Sequence, residues 1–429
     1  MVRDQIGALR DGMQRRGKLG ALGALIDRAE ALDKSRRAAI QAVEEKKAQR
    51  NALSQEVARR KQAEKRDGFV AVEGVSAQGL VGNARALGDE ISELEKDLAA
   101  TQSALDGILL EIPQVTLPDV PAGDETANVV IRSWGEPRAA NSVKPHWEIG
   151  ETLGLIDLPR GAKIAGSGFI VYRGMGARLQ RALMNFMLDL HTREHGYDET
   201  WVPLFVNRDA MIGTSQLPRF EEDMYALRDD ALFAIPTAEV PVTNLFAGEI
   251  VDGAVLPMAL TAFSACFRRE AGAAGKDTRG LLRVHQFEKV ELVRFAAPED
   301  SAAQHELLTG HAERVLELLE LPYRRLLLAA GDTGFASMKT YDLEVFAPGV
   351  GKWLEVSSCS NFGEFQARRA NIRYRPAAGE KPRFVHTLNG SGVAFSRIVA
   401  SILEHHQQAD GTVRVPKALQ PYLGADVIG

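Results

Sequence analysis

Cysteine is nearly absent: Cys266 and Cys359 are the only two in 429 residues. A disulfide framework and a thiolate-held structural zinc are therefore not expected, and a reducing compartment, the cytoplasm, is. No apolar run reaches bilayer-spanning length, so no membrane partner is expected. The N-terminal stretch MVRDQIGALRDGMQRRGKLG mixes charges of both signs and holds no apolar signal core. A strong charge of one sign is missing too. The formal net charge is -5, so DNA is not an expected partner and any RNA contact must come from a local patch. Internal repeats and low-complexity segments are also missing. What remains is ordinary for a globular chain, 45% hydrophobic and 25% charged, with length enough for two or three domains.

Two periodic segments open the chain. Leu80, Ala84, Leu87, Ile91, Leu94, Leu98, Thr101, Leu105, Ile108 and Ile112 follow a repeating 4, 3 spacing in which Thr101 alone is polar. That spacing predicts a coiled-coil helix, which Pro113 must stop. A weaker seam over roughly 21–66 runs through Leu22, Leu25, Ala29, Leu32, Arg36, Ala39, Val43, Lys46, Arg50, Leu53 and Val57. Residues 67–79 break the pattern, so the two helices are expected to pair as an antiparallel hairpin. From Lys34 to Arg66 eleven lysines and arginines stand against four glutamates. Taken alone, such a run is more often a solvated face than an RNA-binding one.

The expected division is an arm over 1–112, a proline-rich connector over 113–135 and a larger domain over 136–429. After the strand-like NVVIRSW, strand-like runs fall at 168–172, 200–203, 232–235, 262–268, 286–294, 341–346, 353–359 and 383–388. They show no regular βαβ rhythm. An α+β fold, an antiparallel sheet with flanking helices, is predicted. The helix expected over 175–194 carries Leu179, Leu183, Phe186, Met187 and Leu190, a stripe suited either to its own core or to a partner.

Most of the chemistry is in CFRREAGAAGKDTRGLLRVHQFEKVELV, Cys266 to Val293. It reads as a strand, a loop bearing Gly272, Gly275 and Gly280, and a returning strand. Alternation puts Arg268 and Glu270 on one side of the first strand, and Phe287, Lys289 and Glu291 on one side of the second. So much charge suits a ligand platform better than a core. A nucleotide matches it, with Arg268 for phosphate, Phe287 for a purine and Glu291 for an ammonium group. Three more segments bracket this one: PTAEVPVTN (Pro236 to Asn244), LEVSSCSNFGEFQARR (Leu354 to Arg369) and LNGSGVAFSR (Leu388 to Arg397). In LEVSS, alternation places Glu355 and Ser357 on one face and Val356 and Ser358 on the other. Asn389, Gly390, Ser391 and Gly392 lead into a helix expected to include Val393, Phe395, Ile398, Val399 and Ile402. Arg397 sits in its first turns, where the helix dipole favours phosphate.

In this order the four segments resemble class II aminoacyl-tRNA synthetases, and in detail the bacterial seryl-tRNA synthetases. The likeness covers nearly the whole chain, the arm included, which no single short pattern would support. It implies ATP-dependent activation of L-serine, release of diphosphate, and transfer of the seryl group to the 3' end of serine tRNA, or of selenocysteine tRNA where one is present. It implies a homodimer formed through the 175–194 helix and the strand ending at Pro203, and an arm that binds tRNA through Arg36, Arg50, Arg59 and Arg60. It assigns catalysis to Arg268, Glu355 and Arg397. Serine falls to Thr237, Ala238, Glu239, Arg268, Glu291 and Ser391. ATP falls to Arg268, Arg269, Glu270, Phe287, Glu355, Val356, Ser357, Ser358 and Arg397. Magnesium falls to Glu355 and Ser358, which alternation separates, so a local irregularity is required. Ser396 departs from the family pattern, which has glycine before this arginine. Positioning and charge neutralisation would supply the catalysis, without a covalent enzyme nucleophile.

Other patterns carry less. HTREH, 191–195, matches the H-x-x-E-H form of zinc proteases, but no third ligand is apparent and surface histidines at a helix end are the plainer reading. GAAGKDT lacks the first glycine of a P-loop. Delivery of an activated amino acid to a carrier protein is a competing function, against which the basic arm speaks. A non-catalytic RNA-binding regulator is another, against which Arg268, Glu270, Glu291, Glu355, Ser391 and Arg397 speak.

Overall fold

The structure, a computed structural model, describes residues 2–67, 77–271 and 279–429. Most of the helix break expected at 67–79 and of the glycine loop expected at 271–280 therefore lies outside the described residues. The chain divides into two compact units, one of residues 1–14 and 18–112 and one of residues 15–17 and 113–429.

The first unit holds α1 (Ile6–Arg15), α2 (Leu19–Asp67) and α3 (Ala77–Glu111). The helices α2 and α3 pack along each other. Only 68–76 join them, a reach far shorter than either helix, so they run antiparallel. The seam read from the sequence is buried at Leu80, Ile91, Leu105, Ile108 and Ile112, and the weaker one at Ala29 and Val43. Ile26 and Asp33 are buried beside it, a widening the heptad does not announce. Asp33 is tolerated there because Arg36 and Arg37 donate to it at 2.7 and 2.9 Å, which holds its carboxyl below the usual range. Lys46–Glu90 at 2.6 Å and Lys47–Glu95 at 2.9 Å cross between the helices. Such exposed pairs help fix register more than they add stability.

The second unit is built on an eight-stranded sheet. In chain order its strands are β1 (Val129–Trp134), β2 (Asp198–Glu199), β3 (Met258–Phe267), β4 (Gln286–Ala296), β5 (Tyr323–Leu327), β6 (Lys339–Ala347), β7 (Lys352–Gly363) and β8 (His386–Ala394). Across the sheet the order is β1-β5-β6-β7-β8-β4-β3-β2. Every pairing is antiparallel except β2 with β3. This is the α+β architecture expected. Helices α4 (Met175–Arg193), α5 (Ser301–Leu318) and α6 (Phe395–His405) pack on the sheet. Leu179, Leu183, Phe186, Met187 and Leu190 are all buried in the core with Val290, Leu292 and Leu388. Each such side chain is worth about 1.5–3 kcal/mol. The α4 stripe thus faces its own core, not a partner.

Strand boundaries differ in places. The run expected at 200–203 is not a strand; β2 ends at Glu199 and Thr200 adds one bond to Thr261 at 2.8 Å. Strand β5 was not foreseen, because YRRLL does not alternate. Val393 and the residues before it remain in β8, and the helix begins only at Phe395.

Two irregularities in the ladder decide what reaches the site. Leu343 of β6 faces Ser357, yet Glu344 faces Glu355, so Val356 is an extra residue in β7. The bulge returns Glu355 and Ser358 to one face and sends Ser357 to the other, correcting strict alternation. In β8, Ser391 faces Glu291 but Ala394 faces Lys289, again one residue too many. Val393 takes up the excess at φ 106°, a conformation costly for a β-branched residue, of order 1–3 kcal/mol. Gly392 leaves room there, since a Cβ on it would sit 2.9 Å from His191 Nε2.

Candidate active site

Both bulges open onto one cavity of about 510 Å³, lined by Thr237, Glu239, Arg268, Glu355, Ser358, Asn389 and Ser391 among others. A smaller cavity of about 60 Å³ shares Arg268, Glu270, Lys289, Glu355 and Ser391 with it and adds Phe287, Val356, Ser396 and Arg397. Four segments distant in sequence therefore converge.

Behind the wall of the larger cavity, and lining neither cavity itself, Glu291 is wholly buried. Lys289 is ion-paired with it. Thr237 Oγ1 donates to Glu291 at 3.1 Å and accepts from Lys289 Nζ at 2.9 Å, and Asn389 Nδ2 donates to the other carboxylate oxygen at 3.1 Å. A buried charge is tolerable only with such partners. Thr237, Asn389 and Lys289 of this network line the cavity, with the Glu291 carboxylate behind them. Glu239, also buried, accepts from Gln366 at 2.6 Å, and Gln366 in turn accepts from Thr387 at 2.7 Å. Burial, and then the nearby Glu291 charge, push the Glu239 carboxyl up to about 7.

Around the smaller cavity Arg268 lies over the Phe287 ring at 5.2 Å and donates to Pro236 O at 3.4 Å. Arg397, in the first turn of α6, donates to Leu282 O at 3.2 Å and Glu355 O at 2.6 Å. Its guanidinium is 3.8 Å from the Glu355 carboxylate. Ser396 takes no left-handed backbone angle, so nothing at this position demands glycine. Glu270, which does adopt positive φ at 51°, is ion-paired with Arg283. Two guanidinium groups and a flat apolar ring around one cavity suit a nucleotide with its phosphates.

Glu355 and Ser358 bring hard oxygens to the cavity wall, the donor type magnesium takes. Asp342, opposite Ser358, has a buried Oδ1 without a hydrogen-bond partner among the described residues. Burial and the Glu355 charge raise its carboxyl. That orphaned oxygen beside the Glu355–Ser358 pair is what a cation-binding wall would show. No group of three His, Cys, Asp or Glu that could hold a metal occurs among the described residues.

Not every expected residue reaches a cavity. Arg269 is exposed and lines neither. Ala238 is buried, and Ser357, donating to Ser391 O at 2.6 Å, braces the wall from behind. On the arm Arg59 is exposed, Arg50 half-buried, Arg36 committed to Asp33, and Arg60 bound to Glu56 at 2.8 Å. Lys289, Asn389, Arg283, Gln366 and Asp342 were not singled out from sequence. Alternation did place Lys289 beside Glu291; the others are brought in by folding alone. The HTREH histidines are not a surface pair: His191 is fully buried and His195 stacks on His311 at 4.0 Å. Both cysteines are buried, with the Cys359 thiol pushed up to about 12, so neither offers a ready nucleophile.

Known proteins resemble this chain along its length. Residues 1–116 match the seryl-tRNA synthetase N-terminal domain, and 221–406 the tRNA synthetase class II core domain (G, H, P, S and T). A serine--tRNA ligase of Gemmatimonas aurantiaca is 64% identical over all of this chain and 99% of its own. One of Carboxydothermus hydrogenoformans is 53% identical over 92% of each. The crystal structure of seryl-tRNA synthetase from Pyrococcus horikoshii complexed with ATP superposes with a TM-score of 0.91 at 36% identity, covering 100% of this chain and 98% of that one. The cytoplasmic serine-tRNA ligase of Naegleria fowleri in complex with AMP gives 0.86 at 27%, over 100% and 97%. With both domains matched in order and the likeness running end to end, the chain belongs to the seryl-tRNA synthetase family.

Proposed function

We propose that the protein joins L-serine to ATP and passes the seryl group to serine tRNA. The observation that carries this reading is the Thr237–Lys289–Asn389 lining, backed by buried Glu291, which shares Arg268 and Ser391 with the Phe287–Arg397 slot. The first takes a small hydroxy-amino acid and the second a nucleotide. Glu291 and Thr237 hold the serine ammonium, Ser391 and Glu239 the remaining polar groups, and Arg268 the carboxylate. Phe287 supports the adenine, while Arg268 and Arg397 neutralise the phosphates. A serine carboxylate oxygen attacks the α-phosphorus, the bond to the bridging oxygen breaks, and diphosphate leaves. A hydroxyl of the terminal tRNA ribose then attacks the seryl carbonyl carbon, and AMP departs. Magnesium, held by Glu355 and Ser358, would supply further neutralisation of phosphate charge. Electrostatic placement of this kind needs no enzyme nucleophile.

The basic residues of α2, with Arg50 and Arg59 uncommitted to the ion pairs that hold Arg36 and Arg60, bind RNA phosphate, and the affinity falls with salt. A long hairpin reads RNA shape better than base edges in a deep A-form groove. The unit from 113 onward carries the chemistry. The protein works as a homodimer in the cytoplasm. Trp201, 78% exposed, with Leu204 and Phe205 beside it beyond the edge strand β2, offers the apolar surface a second copy would cover.

Replacing residues 29–104 by a short linker tests the division of labour. Serine-dependent pyrophosphate exchange should survive, and charging of serine tRNA should collapse, most of all at low tRNA concentration. Equal charging by the truncated and full-length proteins would refute the arm's role.

A further inference from the structure

The larger cavity, about 510 Å³, is far roomier than serine alone requires. It shares Arg268, Glu355 and Ser391 with the nucleotide slot, and its Thr237 and Asn389 are bonded to the buried Glu291. Neither role uses the rest of its wall, made by Gln216, Phe220, Met224 and Phe362, none of which lines the smaller cavity.

This wall is firmly seated. Residues 208–213 form a short helix capped by Asn207, whose side chain accepts from Ala210 N at 2.8 Å. Asn244, from the PTAEVPVTN segment, donates to Ala210 O at 2.9 Å. Arg208 then forks onto Glu221 at 2.8 and 2.7 Å. Asp223 accepts from Arg269 N through its carbonyl and from Ala271 N through its carboxylate, both at 2.9 Å. That ties the wall to the stretch beginning at Arg268. Between these fastenings Ser215 holds φ at 67°, and its buried Oγ has no hydrogen-bond partner among the described residues. Backbone strain and an orphaned polar atom in one loop point to a segment shaped for function.

The chemistry of the wall suits a nucleoside. Phe362 and Phe335 belong to one apolar cluster, and Phe220 packs against it while remaining half-buried. Every base has a π face, so an aromatic wall can hold one by stacking. The Gln216 side chain, half-buried, makes no hydrogen bond among the described residues. Its amide offers two donors and an acceptor to a base edge or a sugar. Arg219 is exposed, in no ion pair among the described residues, and lies 5.8 Å over the Phe220 ring and 5.2 Å over Phe335. It brings a cation beside the rings, as a phosphate would need. The acyl acceptor must place a ribose hydroxyl at the seryl carbonyl while AMP still fills the nucleotide slot. A second aromatic wall in the same cavity as Arg268 meets that demand.

We propose that Gln216, Arg219, Phe220 and Phe362 form the subsite for the terminal nucleoside of the acceptor tRNA. The base stacks on Phe220 beside Phe362, Gln216 bonds its edge or its sugar, and Arg219 takes the phosphate on its 5' side. This subsite presupposes the serine-activating, tRNA-charging function proposed above.

The full-length protein is compared with Phe220→Leu, Phe220→Tyr and Gln216→Ala, using serine tRNA with and without its terminal nucleotide. Serine-dependent pyrophosphate exchange should stay within about threefold in all three variants. Single-turnover transfer from preformed seryl-adenylate to complete tRNA should slow about tenfold or more in Phe220→Leu and Gln216→Ala, and recover in Phe220→Tyr. Removing the terminal nucleotide should weaken tRNA retention by the unaltered protein about fivefold or more, and by Phe220→Leu much less. Unchanged transfer in both Phe220→Leu and Gln216→Ala overturns the proposal. So does an equal loss of exchange and transfer, which would make the wall a support of the fold alone. The same cost of removing the nucleotide in the unaltered protein and in Phe220→Leu overturns it as well. If Phe220→Leu does not fold, transfer by Gln216→Ala decides. Absence of serine-dependent exchange in the unaltered protein would instead refute the proposed function itself, and the subsite with it.

Discussion

Replacing Glu291 with glutamine changes one oxygen for an amide and little in volume, yet it should damage the protein in two separable ways. In the native state Glu291 is 0% exposed and Lys289 5%. Removing the negative charge leaves the Lys289 ammonium buried with only Thr237 Oγ1, at 2.9 Å, as acceptor. Breaking a buried pair from one side costs about 3–5 kcal/mol. The new amide must also set one donor against the Asn389 amide or the Thr237 hydroxyl, which now both donate to the carboxylate. A stability loss of about 3 kcal/mol is therefore expected in denaturant unfolding. Serine binding should suffer independently, because a charge-assisted bond to its ammonium is worth about 1.5–3 kcal/mol, or about 10- to 150-fold in the serine requirement. The ATP requirement should move much less. The double variant Glu291→Gln with Lys289→Met should recover most of the stability and none of the serine binding. A stable Glu291→Gln protein with an unaltered serine requirement would refute the assignment. Equal damage to serine and ATP would mean that Glu291 supports structure or the metal instead.

Two further outcomes follow from the same geometry. Arg268→Ala should reduce serine-dependent pyrophosphate exchange about thirtyfold or more, at least about 2 kcal/mol, with an unchanged unfolding curve; near-normal exchange by the folded variant would remove Arg268 from the site. Unfolding followed between pH 7 and pH 4 should show acid destabilisation from buried histidines. Burial holds His305 and His406 down at about 4 and His311 at about 3, whereas in the unfolded chain they titrate near 6.5. The unfolded state thus binds more protons, so their stabilisation is present above about pH 6.5 and is lost as pH falls towards 4. Each contributes a slope of up to about 1.4 kcal/mol per pH unit. Glu239, raised to about 7, acts with the opposite sign and offsets one of them. A flat profile over this range would show that the histidines are not held neutral.

Much of this was readable from residue order, for definite reasons. The α3 seam is a one-dimensional signal, and the helix forms where it says. The Arg268, Phe287 and Glu291 alternation survives because β4 is regular through that stretch. Strict alternation failed where the chain inserts a residue. Nothing in LEVSS announces that Val356 is extra, yet that residue decides which of Ser357 and Ser358 reaches the cavity. Val393 looked helical by its apolar spacing, whereas β8 keeps it at a φ that local propensity disfavours. Gln366, Asn389 and Asp342 were invisible because their roles exist only across strands. Burial of the α4 stripe depended on what the sheet offered it, which the helix alone does not encode.

The most direct measurement is ATP–pyrophosphate exchange with each of the twenty amino acids in turn. Serine should support exchange strongly. Alanine should fall about 10⁴-fold or more below it, because a site built around a hydroxyl leaves its own polar groups unpaired without one. Threonine should be excluded less completely, by size. Exchange driven equally well by another amino acid, or none with serine under conditions where the protein is folded, would contradict the account.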